Sequence, residues 1–272
     1  MTNARSFRGD GLQVPPGTVI LPVLKEVEIG LLKVVGTAFY LTRYGLCATA
    51  GHVLDDFRDP RSQSMYGGFV LEILDAEQFV LRRILKANHS AFCDISLMQV
   101  GGDFGELRVH PTPKVGISFS APKLGDRLVS YGYPENSLLD FRGGSKRVDL
   151  VGDYFSGVFE RHVAAGQRPF IAYPHYESTM EIRSGASGCP IFNEKGRVVA
   201  IACRGWDFRG AEEEGGLSSL VPMSYFLTLS ETVATPPERS WEESQVPLSR
   251  RPHMLSFGEL IAYGHIDVGA YG

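Results

Sequence analysis

The sequence predicts an all-β protein made of two successive β units. Its 272 residues include 31 glycines and 16 prolines, above the average usage of roughly 7% and 5%, which indicates many tight turns. From Ile20 onward, short apolar runs alternate with Gly, Pro, Asn and Asp, the pattern of strands joined by turns. No long helical period interrupts this alternation. Because 43% of the residues are hydrophobic, the chain can bury a core and is not wholly disordered.

The first unit is expected near residues 18–108, after an N-terminal segment at 1–17. Its strand candidates are rich in β-branched and aromatic residues, which suit a pleated, half-buried surface. A turn at Tyr44–Gly45 separates the first two candidates, and the last is apolar enough to be a buried strand. In chain order, the predicted elements are strands Val34–Thr42 and Leu46–Ala50, a helical turn at 51–54, hairpin strands Phe69–Leu74 and Phe79–Ile84, and strand Ile95–Val100.

The second unit is expected at residues 115–232, after a linker at 109–114. Two prolines in His110–Pro113 remove backbone donors and stiffen the chain, which is typical of a linker. A short helix over Ser224–Thr232 is predicted to end the unit. The predicted strands are Arg127–Gly132, Tyr154–Glu160, Met180–Arg183, Pro190–Asn193, Val198–Arg204 and Leu217–Val221.

The remaining residues, 233–272, are expected to form a linker and a C-terminal tail. Residues 234–251 are polar and rich in proline, as linkers are. Ser256 and Glu259 then have the spacing of a capping box at the start of a helix. The apolar residues that would share one face of this helix are Phe257, Leu260 and Ile261. We expect a short helical tail that docks back on the domain; the alternatives are autoinhibition, or recruitment of a regulatory protein partner through residues 252–272.

Charge and hydropathy narrow the class of partner. The 27 basic and 31 acidic residues give a net charge of −4 without a long block of one sign, which argues against nucleic acid. No apolar run approaches the ~20 residues that span a bilayer, so no membrane is expected. Residues 1–14 lack the apolar core of a secretory signal, and only four cysteines occur. We therefore expect a cytoplasmic protein with reduced thiols.

Three short stretches carry residues suited to nucleophilic catalysis. They are Thr49–His52 (TAGH), Cys93–Leu97 (CDISL) and Ser184–Pro190 (SGASGCP), which supply a histidine, an aspartate and a serine in that order. A serine hydroxyl is a poor nucleophile near neutral pH and needs an imidazole base. The imidazole needs a carboxylate to fix its tautomer, and backbone N–H groups of the serine loop can receive the oxyanion that forms. Each stretch alone has a structural explanation, but together they indicate a catalytic triad.

These stretches resemble the signatures of the chymotrypsin/trypsin-like serine peptidases. The intracellular, HtrA-like branch is closer than the digestive enzymes. Further stretches resemble that branch in the same order: GTAF at 36–39, LGDR at 124–127, YGYP at 131–134, YFSGV at 154–158 and the run 196–205. The resemblance covers about residues 34–225, and with only about 40 residues after the second unit no PDZ domain is expected to follow.

The resemblance implies a fold and a mechanism. The fold is two antiparallel six-stranded Greek-key barrels of the chymotrypsin type, with the active site in the cleft between them. His52 is the expected general base and Asp94 its orienting carboxylate, both from the first barrel, while Ser187 from the second is the nucleophile. The N–H groups of Gly185 and Ser187 form the expected oxyanion hole. The implied activity is that of a serine endopeptidase that acts on protein substrates through an acyl-enzyme, with no metal or organic cofactor.

The resemblance leaves two interpretations of the substrate pocket. Glu181, six residues before Ser187, matches the floor of the S1 pocket in trypsins, and Gly205 and Gly216 match its walls. If Glu181 points inward, a charge-assisted pair favours Lys or Arg at P1. If Glu181 faces outward or pairs with a nearby base such as Arg183, small or aliphatic P1 residues are expected.

Three residues depart from the pattern of the digestive enzymes. Ala186 stands where trypsins have the aspartate that receives the freed N-terminus, so that activation route is absent. Cys189 replaces a glycine, and its side chain is expected to crowd the strand. Cys203 replaces a serine that hydrogen-bonds the catalytic aspartate, and a thiol is a weaker donor. These cysteines leave open a catalytically inactive, protein-binding module; they are either an oxidation switch or inert buried thiols.

Other chemistries fit the sequence less well. Cys47 with His52, and His89 with Cys93, have spacings seen in zinc ligands, but small buried side chains explain both cysteines. An α/β-hydrolase esterase needs G-x-S-x-G and the order Ser, Asp, His, whereas this chain has Cys189 in the fifth position and the reverse order. The sequence contains no nucleotide-binding glycine motif after a predicted strand.

Overall fold

A computed structural model of the chain arranges its strands in two closed rings. It describes residues 7–9, 12–14, 16–42, 45–55, 57, 67–74, 78–101, 114–133, 138–142, 147–169, 171–206, 217–229, 256–262 and 264–269. The predicted linker residues 109–113 and the polar residues 233–255 lie outside the described residues, as does part of the N-terminal segment 1–17. Within the described part of the chain, no helix is both long and apolar enough to cross a membrane.

Antiparallel pairing closes six strands of the first unit into a barrel. The elements up to this point of the chain are β1 (Phe7–Gly9), β2 (Leu12–Val14), α1 (Pro16–Val19), β3 (Ile20–Glu28), β4 (Leu31–Tyr40), β5 (Leu46–Thr49), α2 (Gly51–Asp55), β6 (Gly68–Ile73), β7 (Phe79–His89) and β8 (Ser96–Gly101). The ring runs β3–β6–β7–β8–β5–β4 and returns to β3. Apolar side chains such as Val23, Leu71 and Leu97 fill its core and are fully buried.

Six strands of the second unit close in the same way. Its elements are β9 (Gly116–Ile117), β10 (Arg127–Gly132), β11 (Leu138–Asp140), β12 (Arg147–Asp149), β13 (Asp153–Val163), β14 (His175–Ser178), β15 (Pro190–Phe192), β16 (Val198–Trp206), β17 (Leu217–Pro222) and a 3₁₀ helix, Met223–Thr228. The ring runs β15–β10–β13–β14–β17–β16 and returns to β15. The two rings confirm the predicted fold of two antiparallel six-stranded barrels.

One predicted strand is wrong. Met180–Arg183 is not a strand, and the strand at this point of the barrel is β14, which ends at Ser178. The Ser218 side chain explains the difference, because its hydroxyl donates to the Met180 carbonyl at 2.5 Å and accepts the Ile182 N–H at 3.4 Å. The Met180 carbonyl and the Ile182 N–H are thus bound by a side chain and do not pair with a neighbouring strand, so the sheet ends before them.

A hairpin from the range of the second unit extends the sheet of the first. β11 pairs antiparallel with β12 and also with β4, where Leu139 lies opposite Leu32. Leu139 is fully buried in the larger core cluster, which includes side chains from both units. The hairpin therefore ties the two barrels together.

The C-terminal tail docks as a short helix followed by a short strand, α3 (Phe257–Ala262) and β18 (Asp267–Val268). The predicted capping box is confirmed: the Ser256 N–H donates to the Glu259 carboxylate at 2.7 Å and the Glu259 N–H donates to the Ser256 hydroxyl at 3.3 Å. Phe257 and Leu260 are fully buried. The Phe257 ring stacks on Phe226 of the 3₁₀ helix with centroids 5.5 Å apart.

Polar contacts hold the end of the tail. β18 pairs in parallel with β9, and Lys114, just before β9, donates from Nζ to the His265 carbonyl at 2.7 Å. Burial, and then the Lys114 ammonium, lowers the pKa of His265. Arg197 also pairs with Asp267 at 3.1 Å. The described part of the tail thus packs against the second barrel as part of the folded domain.

The packing of Phe257 predicts a measurable loss of stability. Phe257→Ala removes a fully buried ring and should lower the free energy of unfolding by about 3–5 kcal/mol, through lost transfer energy and the cavity left behind. The control is Phe92→Ala, because Phe92 is 77% exposed and its loss should change stability by less than about 0.5 kcal/mol. Urea unfolding measures both, and equal effects would contradict the docked tail.

Candidate active site

Strand pairing brings His52 and Asp94 to one end of the first barrel. β5 and β8 are antiparallel, with Thr49 opposite Ser96. The residues that follow β5 and those that precede β8 therefore lie at the same end. α2 begins directly after β5 and carries His52, while Asp94 lies two residues before β8.

The carboxylate of Asp94 binds His52 through both of its oxygens. Oδ2 lies 2.7 Å from His52 Nδ1, and Oδ1 accepts the backbone N–H of His52 at 2.8 Å. A carboxylate accepts hydrogen bonds, so Nδ1 carries the proton and Nε2 is the nitrogen that can act as a base. The imidazole is 35% exposed and the carboxylate 13%, so substrate can reach the ring while its support is largely shielded.

Ser187 lies in a tight loop of the second barrel. The Ala186 N–H donates to the Arg183 carbonyl at 3.1 Å and the Cys189 N–H to the Ala186 carbonyl at 3.0 Å. Gly185 has a φ of +87°, in the left-handed region that glycine adopts without strain. The half-buried Ser187 hydroxyl donates to the carbonyl of Cys203 at 3.1 Å. Among the described residues, it makes no hydrogen bond to His52.

Contacts between the barrels bring Ser187 to the His52–Asp94 pair. The Thr37 N–H of the first barrel donates to the Ser187 carbonyl at 2.8 Å. Cys203 contacts both Ser187 and Asp94. Its carbonyl oxygen accepts the Ser187 hydroxyl, and its Sγ lies 3.2 Å from the Asp94 carbonyl oxygen. The three residues predicted as a triad therefore share one site.

The Cys203 thiol does not take over the role expected of a serine at this position. It contacts the backbone carbonyl of Asp94, not the carboxylate. The backbone N–H of His52 instead binds the carboxylate directly. Burial, and then the Asp94 charge, raises the pKa of the Cys203 thiol well above its usual value, so it is protonated near neutral pH.

The side chain of Cys189 fits into the second core, contrary to the expected crowding. Cys189 is fully buried, and the Ser130 hydroxyl lies 3.0 Å from its sulfur. Gly132 explains the fit, since a Cβ there would lie 3.0 Å from the Ala186 Cβ and 3.1 Å from the Cys189 Cβ. Burial raises the pKa of Cys189 to about 12, which favours an inert thiol.

The N–H groups expected to form the oxyanion hole are available. Among the described residues, neither the Gly185 N–H nor the Ser187 N–H donates to a protein acceptor. The neighbouring Gly188 N–H donates to the Ala202 carbonyl at 2.7 Å, which fixes the end of the loop. The loop thus presents two unused donors beside the serine hydroxyl.

One residue predicted to line the S1 pocket lies at the surface. Glu181 is exposed, so its carboxylate is not buried. This exposure agrees with the alternative in which Glu181 faces outward. Arg183, which was named as a possible partner of Glu181, pairs with Asp153 at 2.9 Å. Gly205 lies in β16 opposite Ser218, and Gly216 lies outside the described residues.

Sequence reasoning missed a threonine that contacts the serine loop. Thr37 belongs to the GTAF stretch at 36–39, from which the sequence predicts only a strand. Thr37 is fully buried and binds the loop through both its N–H and its hydroxyl.

Within the described ranges, no three His, Cys, Asp or Glu side chains are grouped as metal ligands.

Two closed barrels with a histidine–aspartate pair facing a serine loop define the class of the serine peptidases. The sequence matches the trypsin-like peptidase domain over residues 36–201, more than half of the chain. The chain belongs to the trypsin-like peptidase family.

A solved structure agrees in fold. A serine-to-alanine mutant of Rv3671c from M. tuberculosis, in an inactive form, is 14% identical with a TM-score of 0.50, covering 78% of this chain and 85% of that one. The Rv3671c protease in an inactive form is 15% identical with a TM-score of 0.48, covering 76% and 85%. No curated protein matches the chain.

The Gly188 position predicts a steric requirement in the serine loop. A Cβ there would lie 2.1 Å from the Thr37 carbonyl oxygen and 2.3 Å from Thr49 Oγ1. Gly188→Ala should therefore lower the free energy of unfolding by more than about 3 kcal/mol and displace the loop. The control is Gly166→Ala, which has a similar positive φ, +74°, but no atom within 4 Å, and should lose only about 1 kcal/mol. Similar unfolding midpoints would contradict the close contact.

The buried thiols predict a pattern of alkylation. In the folded protein, iodoacetamide should modify the half-buried Cys93 first and leave Cys189 and Cys203 unmodified, because both are fully buried and protonated near neutral pH. Mass spectrometry after denaturation and digestion identifies the sites. Alkylation of Cys189 or Cys203 as fast as Cys93 would show that they are accessible and would favour the oxidation switch.

Proposed function

We propose that the protein is a serine endopeptidase that cleaves protein substrates through an acyl-enzyme on Ser187. The observation that carries the proposal is the His52–Asp94 pair, joined at 2.7 Å, next to a serine loop with two unused N–H donors. The membership of the chain in the trypsin-like peptidase family supports the same chemistry.

Each proposed role follows from the position of the group. Ser187 Oγ attacks the scissile carbonyl while His52 Nε2 takes its proton, and Asp94 stabilises the imidazolium that forms. The N–H groups of Gly185 and Ser187 bind the oxyanion. When the tetrahedral intermediate collapses, the C–N bond breaks and His52 gives its proton to the leaving amine. Water, deprotonated by His52, then hydrolyses the ester and restores the serine. No metal or organic cofactor takes part.

The orientation of the serine supports a further feature of the proposal. Its hydroxyl donates to the Cys203 carbonyl, whereas the reaction needs the proton to point at His52. Staggered rotamers of a serine interconvert about a single side-chain bond. We propose that substrate binding turns the hydroxyl toward His52, without rearrangement of the loop that carries it.

The proposed specificity is for small or aliphatic P1 side chains. It rests on the exposure of Glu181, since a carboxylate in solvent gives a basic P1 side chain little preference. We further propose that the enzyme acts in the cytoplasm, because all four cysteines are free thiols and an oxidising compartment favours disulfides.

Regulation by a protein partner is also part of the proposal. Among the described residues of the segment 252–272, the exposed side of α3 carries Gly258, Glu259 and Ala262, and a partner could bind there. The opposite side is held by Phe257 and Leu260 in the core. A partner that used this surface would bind a docked tail and would not need to displace it.

The alternative is a catalytically inactive domain that binds proteins. The observation that favours it is the Ser187 hydroxyl, which donates to Cys203 and makes no described hydrogen bond with His52. A binding module would retain the barrels and the cleft without reacting with covalent probes of active serines.

A covalent probe distinguishes the two functions. We expect a fluorophosphonate to label the wild type and the control Ser156→Ala, which changes an exposed serine, but not Ser187→Ala. His52→Ala should slow labelling by at least ~10³-fold, because the base is lost. Labelling is read by gel fluorescence. An unlabelled wild type would favour the binding module.

Cleavage-site profiling of a cell lysate extends the same comparison. New peptide ends that appear with the wild type and not with Ser187→Ala should follow small or aliphatic residues. Ends that follow mainly Lys or Arg would contradict the proposed specificity while supporting the peptidase.

A further inference from the structure

Thr37 is a buried polar residue whose every hydrogen-bonding group is used at the junction of the barrels. Its N–H donates to the Ser187 carbonyl at 2.8 Å, and its carbonyl accepts the Thr49 hydroxyl at 2.7 Å. Its own hydroxyl donates to the Gly185 carbonyl at 3.4 Å and accepts the Tyr133 N–H at 3.0 Å. One side chain of the first barrel thus contacts the serine loop and the end of β10.

We infer that Thr37 is a positioning residue that aims the oxyanion-binding N–H groups of Gly185 and Ser187; the inference rests on the proposed peptidase function. Thr37 itself does not touch the reacting atoms. It acts through the carbonyl groups of the same two residues, both of which it binds.

The peptide planes of the loop show how such positioning works. A peptide unit is planar, so holding its C=O and its N–H fixes the whole plane. The plane between Gly185 and Ala186 is held by the Thr37 hydroxyl and, through the Ala186 N–H, by the Arg183 carbonyl at 3.1 Å. The plane between Ser187 and Gly188 is held by the Thr37 N–H and, through the Gly188 N–H, by the Ala202 carbonyl at 2.7 Å.

The two unused N–H groups belong to the neighbouring peptide planes, between residues 184 and 185 and between residues 186 and 187. The Ser187 N–H lies in the plane between two planes that are held at both ends. The Gly185 N–H lies in the plane directly before the first of them. Their directions are therefore set jointly by the planes that Thr37 binds and, for the Ser187 N–H, by the Cys189 N–H, which donates to the Ala186 carbonyl of the same plane at 3.0 Å. The strand that carries Thr37 belongs to the closed ring of the first barrel.

Close packing makes the hydroxyl hard to replace by water. A Cβ at Gly132 would lie 3.3 Å from Thr37 Oγ1 and 3.0 Å from the Ala186 Cβ, so the space beside the hydroxyl does not fit one added carbon without a shift of its neighbours. Loss of Oγ1 would leave the buried Tyr133 N–H without this acceptor and the Gly185 carbonyl without this donor. The Gly185–Ala186 plane would then keep its hydrogen bond at the Ala186 N–H but lose the one at its carbonyl, and it would tilt more easily.

The test compares Thr37→Val, which removes the hydroxyl at almost constant volume, with Thr37→Ser, which keeps it. The backbone N–H that binds Ser187 is present in both. The matched control is Thr18→Val, because Thr18 donates to the Ile73 carbonyl at 3.1 Å within the first barrel and does not contact the serine loop. Thr37→Ala gives the same comparison if the valine variant does not fold.

We measure kcat and KM on a peptide found by profiling, the affinity of a peptide aldehyde with the same sequence, and the urea midpoint. The aldehyde forms a tetrahedral adduct on serine and so reports on the oxyanion hole. Thr37→Val should lower kcat and aldehyde affinity about 10-fold or more with KM within about 3-fold, since only transition-state contacts are lost. Thr37→Ser should stay within about 3-fold of the wild type, and Thr18→Val should change only the urea midpoint.

Three results would overturn the inference. They are a Thr37→Val variant as reactive as the wild type, equal losses in Thr37→Ser and Thr37→Val, or a matching loss of kcat in Thr18→Val. Each of these requires a reactive wild type and leaves the peptidase function intact. A wild type that reacts with neither the aldehyde nor the fluorophosphonate overturns the proposed function, and the inference with it.

Discussion

The hydrogen bond between the Thr37 N–H and the Ser187 carbonyl, 2.8 Å long, is the contact on which the site depends. Each barrel carries only part of the proposed triad: the first carries His52 and Asp94, and the second carries Ser187. The proposed chemistry requires the two ends to meet in one arrangement. Because both barrels are closed and rigid, a few contacts at their junction are enough to fix that arrangement.

Much of the fold was predictable, because short apolar segments separated by turn residues are typical of the strands of all-β proteins. The grouping of His52, Asp94 and Ser187 was predictable because the proposed chemistry needs particular residue types. Met180–Arg183 was mispredicted because a distant hydroxyl, Ser218, binds its backbone, and no local pattern reports such a contact. The exposure of Glu181 and the position of the hairpin after β10 also depend on tertiary packing, which overrides local preference.

The cysteines show how substitutions at a site can be compensated within the fold. Cys189 adds a side chain where a glycine was expected, and Gly132 across the core leaves the room that it needs. Cys203 stands where the family pattern has a serine that binds the aspartate; here the thiol contacts the Asp94 backbone carbonyl, while the carboxylate accepts the His52 N–H. Departures from a family pattern therefore say little about activity until the neighbouring atoms are known.

The hydrogen bond from Ser187 to the Cys203 carbonyl has a consequence for the first step of the proposed reaction. An amide oxygen is far too weak a base to accept a proton, so a serine in this orientation reacts no faster than an ordinary alcohol. In the proposed mechanism, attack therefore begins with a rotation about the Cα–Cβ bond of Ser187. Rotations of this kind take picoseconds to nanoseconds, so the seating of a substrate chain, and not the turn of the hydroxyl, sets when the serine attacks.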